Sequence, residues 1–417
     1  MAIKISGSTI VDDSRQLVNV GTSTISASSN LHVGAGITMY GASGIVSATA
    51  FYGNGQNLTD LIDGKIQGLT IKDEGSTVGS ANAVSSINFA GAGVVATASG
   101  AGSTVTIPGF GADDQGNLYA GTDAGAASDA DTCYNVAIGA SAGKSLNEGD
   151  QNVFIGCLAG CSLTSGGCGV YIGPKAGANS TTNTQSVFIG CEAGQNIRAD
   201  ANIALGQGAL RGSGNPANNT GFLNIALGKE AGYSLTSGKR NVFLGCCAGV
   251  SVNSGQDNIF LGTEVACCAT TGSDNIALGR AALGGAAVTG NYNIAFGKES
   301  GKAITSGLNN ILLGKCAGVS IAQGQNHIMI GLDAGRASTG ASYSNVYLGI
   351  YAGECGTDAS FNFYGSVSAG RCQKTGCYNI AVGNNALKGS STVNNNTAAN
   401  NVALGQGAGW CISSGAD

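Results

Sequence analysis

The sequence predicts an all-β fold: a Gly-rich β-solenoid or β-roll of about 17 coils with a 17-residue period, preceded by small β modules and assembled as a parallel homotrimer. Three observations carry this reading. Gly supplies 71 of 417 residues and Pro only 3, charged residues make up 10%, and a nine-residue pattern returns at a nearly constant interval. An average soluble chain has about 7% Gly, 5% Pro and 25% charged residues. Collagen needs Gly at every third position with abundant Pro, and disorder goes with low hydrophobicity and high charge. A 43% hydrophobic content and the lack of a G-X-Y register exclude both.

The chain divides by pattern into residues 1–62, 63–110 and 111–417. In the first segment, residues 2–5, 16–20, 37–40 and 45–52 read as short β runs separated by Gly, Ser and Asn. The second segment holds four further runs, at 69–71, 86–89, 94–98 and 104–107, which suit a small antiparallel module. A module of that size rarely buries enough surface to stand alone. No charged leader with an apolar core opens the chain, and no run of 18 apolar residues occurs, so the expectation is cytoplasmic synthesis without a membrane span.

From residue 111 the repeat takes over. Asn-[Ile/Val]-apolar-[Ile/Leu]-Gly-x-x-Ala-Gly starts at Asn135, Asn152, Asn224, Asn241, Asn310 and Asn401, among others. Its central glycine can be followed from Gly121 through Gly139, Gly156 and Gly173 to Gly349, Gly365, Gly383 and Gly405, in steps of 16 to 18 residues with two steps of 22. Seventeen residues cannot hold a helix and two connections, but they suffice for one solenoid coil. The two long steps carry Asn-, Thr- and Ser-rich insertions after Leu210 and Leu387, expected as surface loops. Counted in this phase, Asn opens 13 of 17 units, which predicts a column of stacked amides that hydrogen-bond one another.

Side chains alternate across a strand, so the residues flanking each strand centre face opposite to the centre itself. With the flanks turned inward, Ile203, Leu205, Ile225, Leu227, Ile276 and Leu278 form the coil core. The strand centres Phe154, Tyr171, Phe188, Phe243, Phe260, Leu312, Met329 and Tyr347, with Phe363, then form an outward apolar stripe. A stripe of that length exceeds what a monomer exposes and is expected to pack chains together under cyclic symmetry. A wider coil that hides both sets is the competing arrangement.

Reactive groups are placed unfavourably for chemistry. All 14 Cys lie in the repeat region, without C-x2-C pairs and without equal offsets in adjacent units, and are expected to be reduced, small apolar fillers. His327, one of two His, takes the Asn position of its unit. Asp123, Glu192, Glu230, Glu264, Glu299 and Asp333 all follow the central glycine by two residues, the pattern of a solvated edge rather than a catalytic pair. No P-loop, nucleophile elbow or triad spacing is present, so no catalytic, cofactor-binding or metal-binding residues are assigned. A net charge of -5 gives no footprint for nucleic acid or anionic lipid.

Residues 46–59, VSATAFYGNGQNLT, and 73–109, beginning DEGSTVGSANAV, resemble N-terminal parts of fibre and other structural proteins of tailed bacteriophages, especially those of marine cyanobacteria. Units such as NIALGKEAG at Asn224 resemble phage-fibre repeat arrays and, more distantly, the β-roll heads of trimeric autotransporter adhesins. The resemblance implies a structural virion fibre protein, assembled in the host cytoplasm as an elongated homotrimeric shaft. Its N-terminal part would join other fibre or baseplate proteins, and its surface would contribute to attachment through host glycan. A polysaccharide-cleaving tailspike-like enzyme and a non-viral extracellular filament or adhesin are the alternatives.

Overall fold

A computed structural model describes residues 112–339, 342–390 and 396–412, together with nine short strands in the first 107 residues. The chain parts into two compact units, Met1–Ile107 and Pro108–Asp417. In the first unit, β1 (Ile3–Ile5) pairs antiparallel with β2 (Ser8–Val11). Strands β3 (Leu31–His32), β4 (Ile37–Tyr40) and β5 (Ile45–Ala48) make a three-stranded antiparallel sheet. Two hairpins follow, β6 (Lys72–Asp73) with β7 (Ser76–Thr77) and β8 (Val95–Ser99) with β9 (Gly102–Thr106). The runs expected at 16–20, 69–71 and 86–89, and the division at 62/63, lie outside the described residues.

In the second unit each repeat contributes one three-residue strand to a single 17-stranded parallel sheet in sequence order. The strands are β10 (Leu118–Ala120), β11 (Val136–Ile138), β12 (Val153–Ile155), β13 (Val170–Ile172), β14 (Val187–Ile189), β15 (Ile203–Leu205), β16 (Ile225–Leu227), β17 (Val242–Leu244) and β18 (Ile259–Leu261). They continue as β19 (Ile276–Leu278), β20 (Ile294–Phe296), β21 (Ile311–Leu313), β22 (Ile328–Ile330), β23 (Val346–Leu348), β24 (Phe363–Gly365), β25 (Ile380–Val382) and β26 (Val402–Leu404). Strand centres face strand centres throughout, as in Phe243 beside Phe260 and Ala226 beside Phe243. At about 4.8 Å per strand the stack rises roughly 80 Å. The chain between strands repeats one set of turns, and its backbone groups bond to the coil above or below, as Gly245 N–H does to Leu227 O at 2.8 Å.

The central glycine is a steric requirement of this stacking. Gly228 has φ +135°, and a Cβ on it would lie 2.6 Å from the carbonyl oxygen of Gly245 in the next coil. One unit breaks the rule, and there the phase read from the sequence was off by one residue. Val346 pairs with Phe363, Tyr347 with Tyr364 and Leu348 with Gly365, so Ser366, rather than Gly365, stands below Gly349. The corrected positions Gly349, Ser366 and Gly383 restore even 17-residue steps, and Asn362 joins the Asn column. Ser366 adopts φ 145°, a conformation that strains any residue with a side chain. Ser366→Gly is therefore expected to raise stability by about 1–3 kcal/mol, read as a higher urea midpoint at unchanged slope.

Burial reverses the inside and outside assigned from alternation. Phe154, Tyr171, Phe188, Phe243, Phe260, Leu312, Met329 and Tyr347 point into the coil and are fully buried within one chain. The core is completed by a row of small residues such as Ala159, Ala193 and Ala248, and by turn residues such as Leu163, Ile197 and Leu235. Adjacent rings stack or meet edge-on, with centroids 5.1 Å apart for Phe154 and Tyr171 and 5.0 Å for Tyr347 and Tyr364. A second glycine makes room for them: a Cβ on Gly249, at φ +58°, would come within 2.6 Å of the Phe243 ring. Leu replaces this glycine only at Leu210, Leu283 and Leu387, in the coils whose strand centres are Ala204, Ala277 and Ala381. In those three coils volume lost at the strand centre is regained at the second position, as close packing favours, whereas the coils centred on Ala137, Ala226, Ala295 and Ala403 keep glycine there.

The Asn column forms the predicted ladder. Asn241 Oδ1 accepts from both the backbone N–H and Nδ2 of Asn258 at 3.0 Å, while Asn258 Nδ2 also donates to Gly272 O at 2.9 Å. Buried amides are thus satisfied by the coils on both sides. Gly169, Ser186 and His327 interrupt the ladder. His327 is buried, accepts the Asn345 backbone N–H at Nδ1 (3.2 Å), and sets Nε2 3.1 Å from Ser342 Oγ. With Nδ1 accepting, Nε2 carries the proton and donates to Ser342.

Burial lowers the His327 pKa to about 4, against a small opposing effect from its hydrogen bond to Ser342. The unfolded chain, with His near pH 6.5, then binds the proton first. Stability present above about pH 6.5 is lost as pH falls toward 4, by up to about 3 kcal/mol. His327→Asn, which restores the ladder residue, is expected to abolish that part of the pH dependence in urea titrations at pH 7 and pH 4.5.

Among the described residues, an Asn near the end of each insertion ties it to a neighbouring coil. Asn219 donates through Nδ2 to Asn196 O at 3.1 Å and to Ser213 O at 3.0 Å. Asn396 does the same to Cys372 O at 2.8 Å and Ser390 O at 3.0 Å.

Candidate association surface

The outer side of the sheet is built from the residues expected to be its core. Ile203, Leu205, Ile225, Leu227, Ile276 and Leu278 all lie on the outer face, half-buried to exposed, with Ile225 at 36% and Ile276 at 40%. They are shielded only by their counterparts in the coils above and below, since in-register β-branched columns cover one another's sides. Phe363, expected as a strand centre, belongs to this outer set. It is 39% exposed, and its ring lies across Gly365, the smallest residue of the face. Phe296 projects furthest of the interior strands, at 52% exposure.

No strand from β10 to β26 contains a charged residue. Two uncharged columns therefore run along the sheet, with the Phe363 ring lying across the gap at Gly365. A face about 10 Å wide and 80 Å tall offers roughly 800 Å². That equals what one partner contributes to a standard protein interface.

In the second unit the described charged groups are confined to the turns, and several pair along the stack. Lys144 meets Asp123 at 2.9 Å, Arg240 meets Asp257 at 2.6 Å and Arg371 meets Glu354 at 2.6 Å, each across coils. Glu192 sits within 4 Å of both Lys175 and Arg211, and Glu299 within 4 Å of Lys298 and Lys302. Asp123, Glu192, Glu230, Glu299 and Asp333 thus lie on a salt-bridged edge. The Arg240 hydrogen bond holds the Asp257 carboxyl below its usual range.

The cysteines depart from expectation. None is buried: Cys157, Cys168, Cys191, Cys246, Cys268 and Cys411 are exposed and the other eight half-buried, because they occupy turn positions outside the core. Among the described residues no group of three or more His, Cys, Asp or Glu is placed to hold a metal ion. No helix among them is long and apolar enough to cross a membrane.

The outer face was not identified from alternation because both faces of each strand are apolar. The signal that separates them is size: strand centres range from Ala to Tyr, and at Ala204, Ala277 and Ala381 the lost volume returns as Leu210, Leu283 and Leu387, while the outer columns stay Val, Ile or Leu almost throughout. Volume exchange marks an interior. No family model, curated protein or solved structure matches the chain.

Proposed function

We propose that the protein is a structural fibre element of a virion, an elongated shaft in which three copies pack along the outer faces of their sheets. The observation that carries this reading is the uncharged apolar face extending over all seventeen strands. A second copy is the occupant that fits it best, because only a partner with the same strand spacing meets every outer residue at an equivalent height. Cyclic symmetry closes the arrangement, and three copies cover one another's faces around a single axis.

The phage-like segments 46–59 and 73–109 support placing the shaft on a virion, with the first unit joining a neighbouring fibre or baseplate protein. Regularly spaced turns would present identical surface groups at each coil, so weak contacts to a host glycan could sum to useful avidity. Negative-stain imaging of the purified chain tests the shaft: thin rods of uniform width are expected, and compact single-chain particles would overturn it. A glycan array tests attachment separately, and absence of binding would remove that role alone.

A further inference from the structure

We propose that Cys355 and Cys372 form a disulfide between neighbouring coils when the protein meets a low-molecular-weight disulfide oxidant such as oxidised glutathione. The corrected phase around Ser366 makes this pair visible. Each Cys follows its coil's central residue, Gly349 or Ser366, by six positions, so the two have equal offsets in adjacent coils. The backbone confirms the register: Gly353 N–H donates to Ala369 O at 3.0 Å, Cys355 N–H to Arg371 O at 2.8 Å and Thr357 N–H to Lys374 O at 2.9 Å. In a parallel stack that pattern sets Cys355 directly beside Cys372.

In-register neighbours lie about 4.8 Å apart, within the 4.4–6.8 Å Cα range of disulfides. Both thiols are half-buried and line one hollow of 660 Å³ with Glu354, Arg371, Lys388 and Trp410. No other Cys pair occupies equal offsets in adjacent coils. Cys157 and Cys191 are two coils apart, and the close sulfurs of Cys246 and Cys247, 3.3 Å apart, belong to consecutive residues. Consecutive Cα atoms are 3.8 Å apart, below the usual disulfide range.

The chemistry is thiol–disulfide exchange. The Cys355 thiolate attacks one sulfur of the oxidant, whose S–S bond breaks and releases one small thiolate. The Cys372 thiolate then attacks Cys355 Sγ in the mixed disulfide and releases the second. Two protein thiols are oxidised, one small disulfide is reduced to two thiols, and the two protons lost by the cysteines end on them. Burial, with Cys372 and Glu354 nearby, raises the Cys355 thiol to about 11. Closure is accordingly slow at neutral pH and should accelerate about tenfold per pH unit over the range below that value.

The test is to incubate the full chain with oxidised glutathione at pH 8, alkylate the remaining thiols, digest with trypsin and analyse by mass spectrometry. The expected product joins the peptide 337–371 to the tripeptide 372–374 and is lost on reduction. In Cys372→Ser the second step is blocked, so Cys355 should accumulate as its glutathione adduct. Recovery of Cys355 and Cys372 as alkylated thiols, as separate glutathione adducts in the unsubstituted protein, or joined to other cysteines would overturn the proposal.

Discussion

Gly228→Ala is expected to destabilise the solenoid by about 4 kcal/mol or more. Two costs add. The backbone at φ +135° lies where only glycine rests without strain, and the new Cβ would stand 2.6 Å from Gly245 O. That oxygen cannot step aside, because Gly245 is held by its own N–H bond to Leu227 O at 2.8 Å. Relief therefore requires the two coils to separate, which also breaks the Asn224–Asn241 rung, whose two hydrogen bonds are both 3.0 Å long. Stability in a stack of repeats is a sum of nearest-neighbour terms, so the damage concentrates at one junction. Limited proteolysis should cut the variant between β16 and β17, and its urea midpoint should fall. Gly214→Ala is the control, since a Cβ there meets nothing within 4 Å. An unchanged midpoint for Gly228→Ala would contradict the stacking geometry.

A double Ile225→Lys, Ile276→Lys variant is expected to dissociate the proposed homotrimer to a single chain of 40.8 kDa while each chain stays folded. Both residues reach solvent in the isolated chain, at 36% and 40% exposure, so a lysine stem can keep part of the column contact while its ammonium group stays in water. Exposed substitutions of this sort usually change stability by about 0.5 kcal/mol or less. In the assembly the same ammonium groups would be pressed into an apolar seam with no acidic partner, since the strands carry no charge. Removing a charge from water without a partner costs several kcal/mol, and the penalty recurs in every copy. Sedimentation should show the change in mass, and circular dichroism should be unchanged. An unaltered oligomer would place the interface elsewhere.

Much of this architecture is legible in the chain. The period, the strands and the amide ladder follow from Asn, the β-branched triplet and glycine recurring in fixed phase. A parallel sheet in register is the simplest object that repeats them. The inner and outer faces were not legible from alternation, because period-2 reasoning separates faces only when one of them is polar. At Ile259-Phe260-Leu261 all three residues are apolar. Only the bulk of Phe260 against Ala277 beside it shows which position must fit a closed space. The slip at Gly365 has a similar origin. Gly365 precedes Ser366, so the residue expected at the turn occurs one place early, and only the pairing of Tyr347 with Tyr364 corrects it. That same slip concealed the Cys355 and Cys372 alignment. Turn thiols at Cys157 and Cys246 looked like core fillers because small residues occupy turns and interiors alike.

The central claim, that copies meet through the outer columns, is tested most directly by photochemical carbene footprinting of the assembled protein beside the Ile225→Lys, Ile276→Lys variant. Labelling at Ile259, Ile294 and Ile328, outer residues the variant leaves intact, is predicted to be several-fold lower in the assembled protein. Equal labelling of these residues in both proteins would contradict the claim.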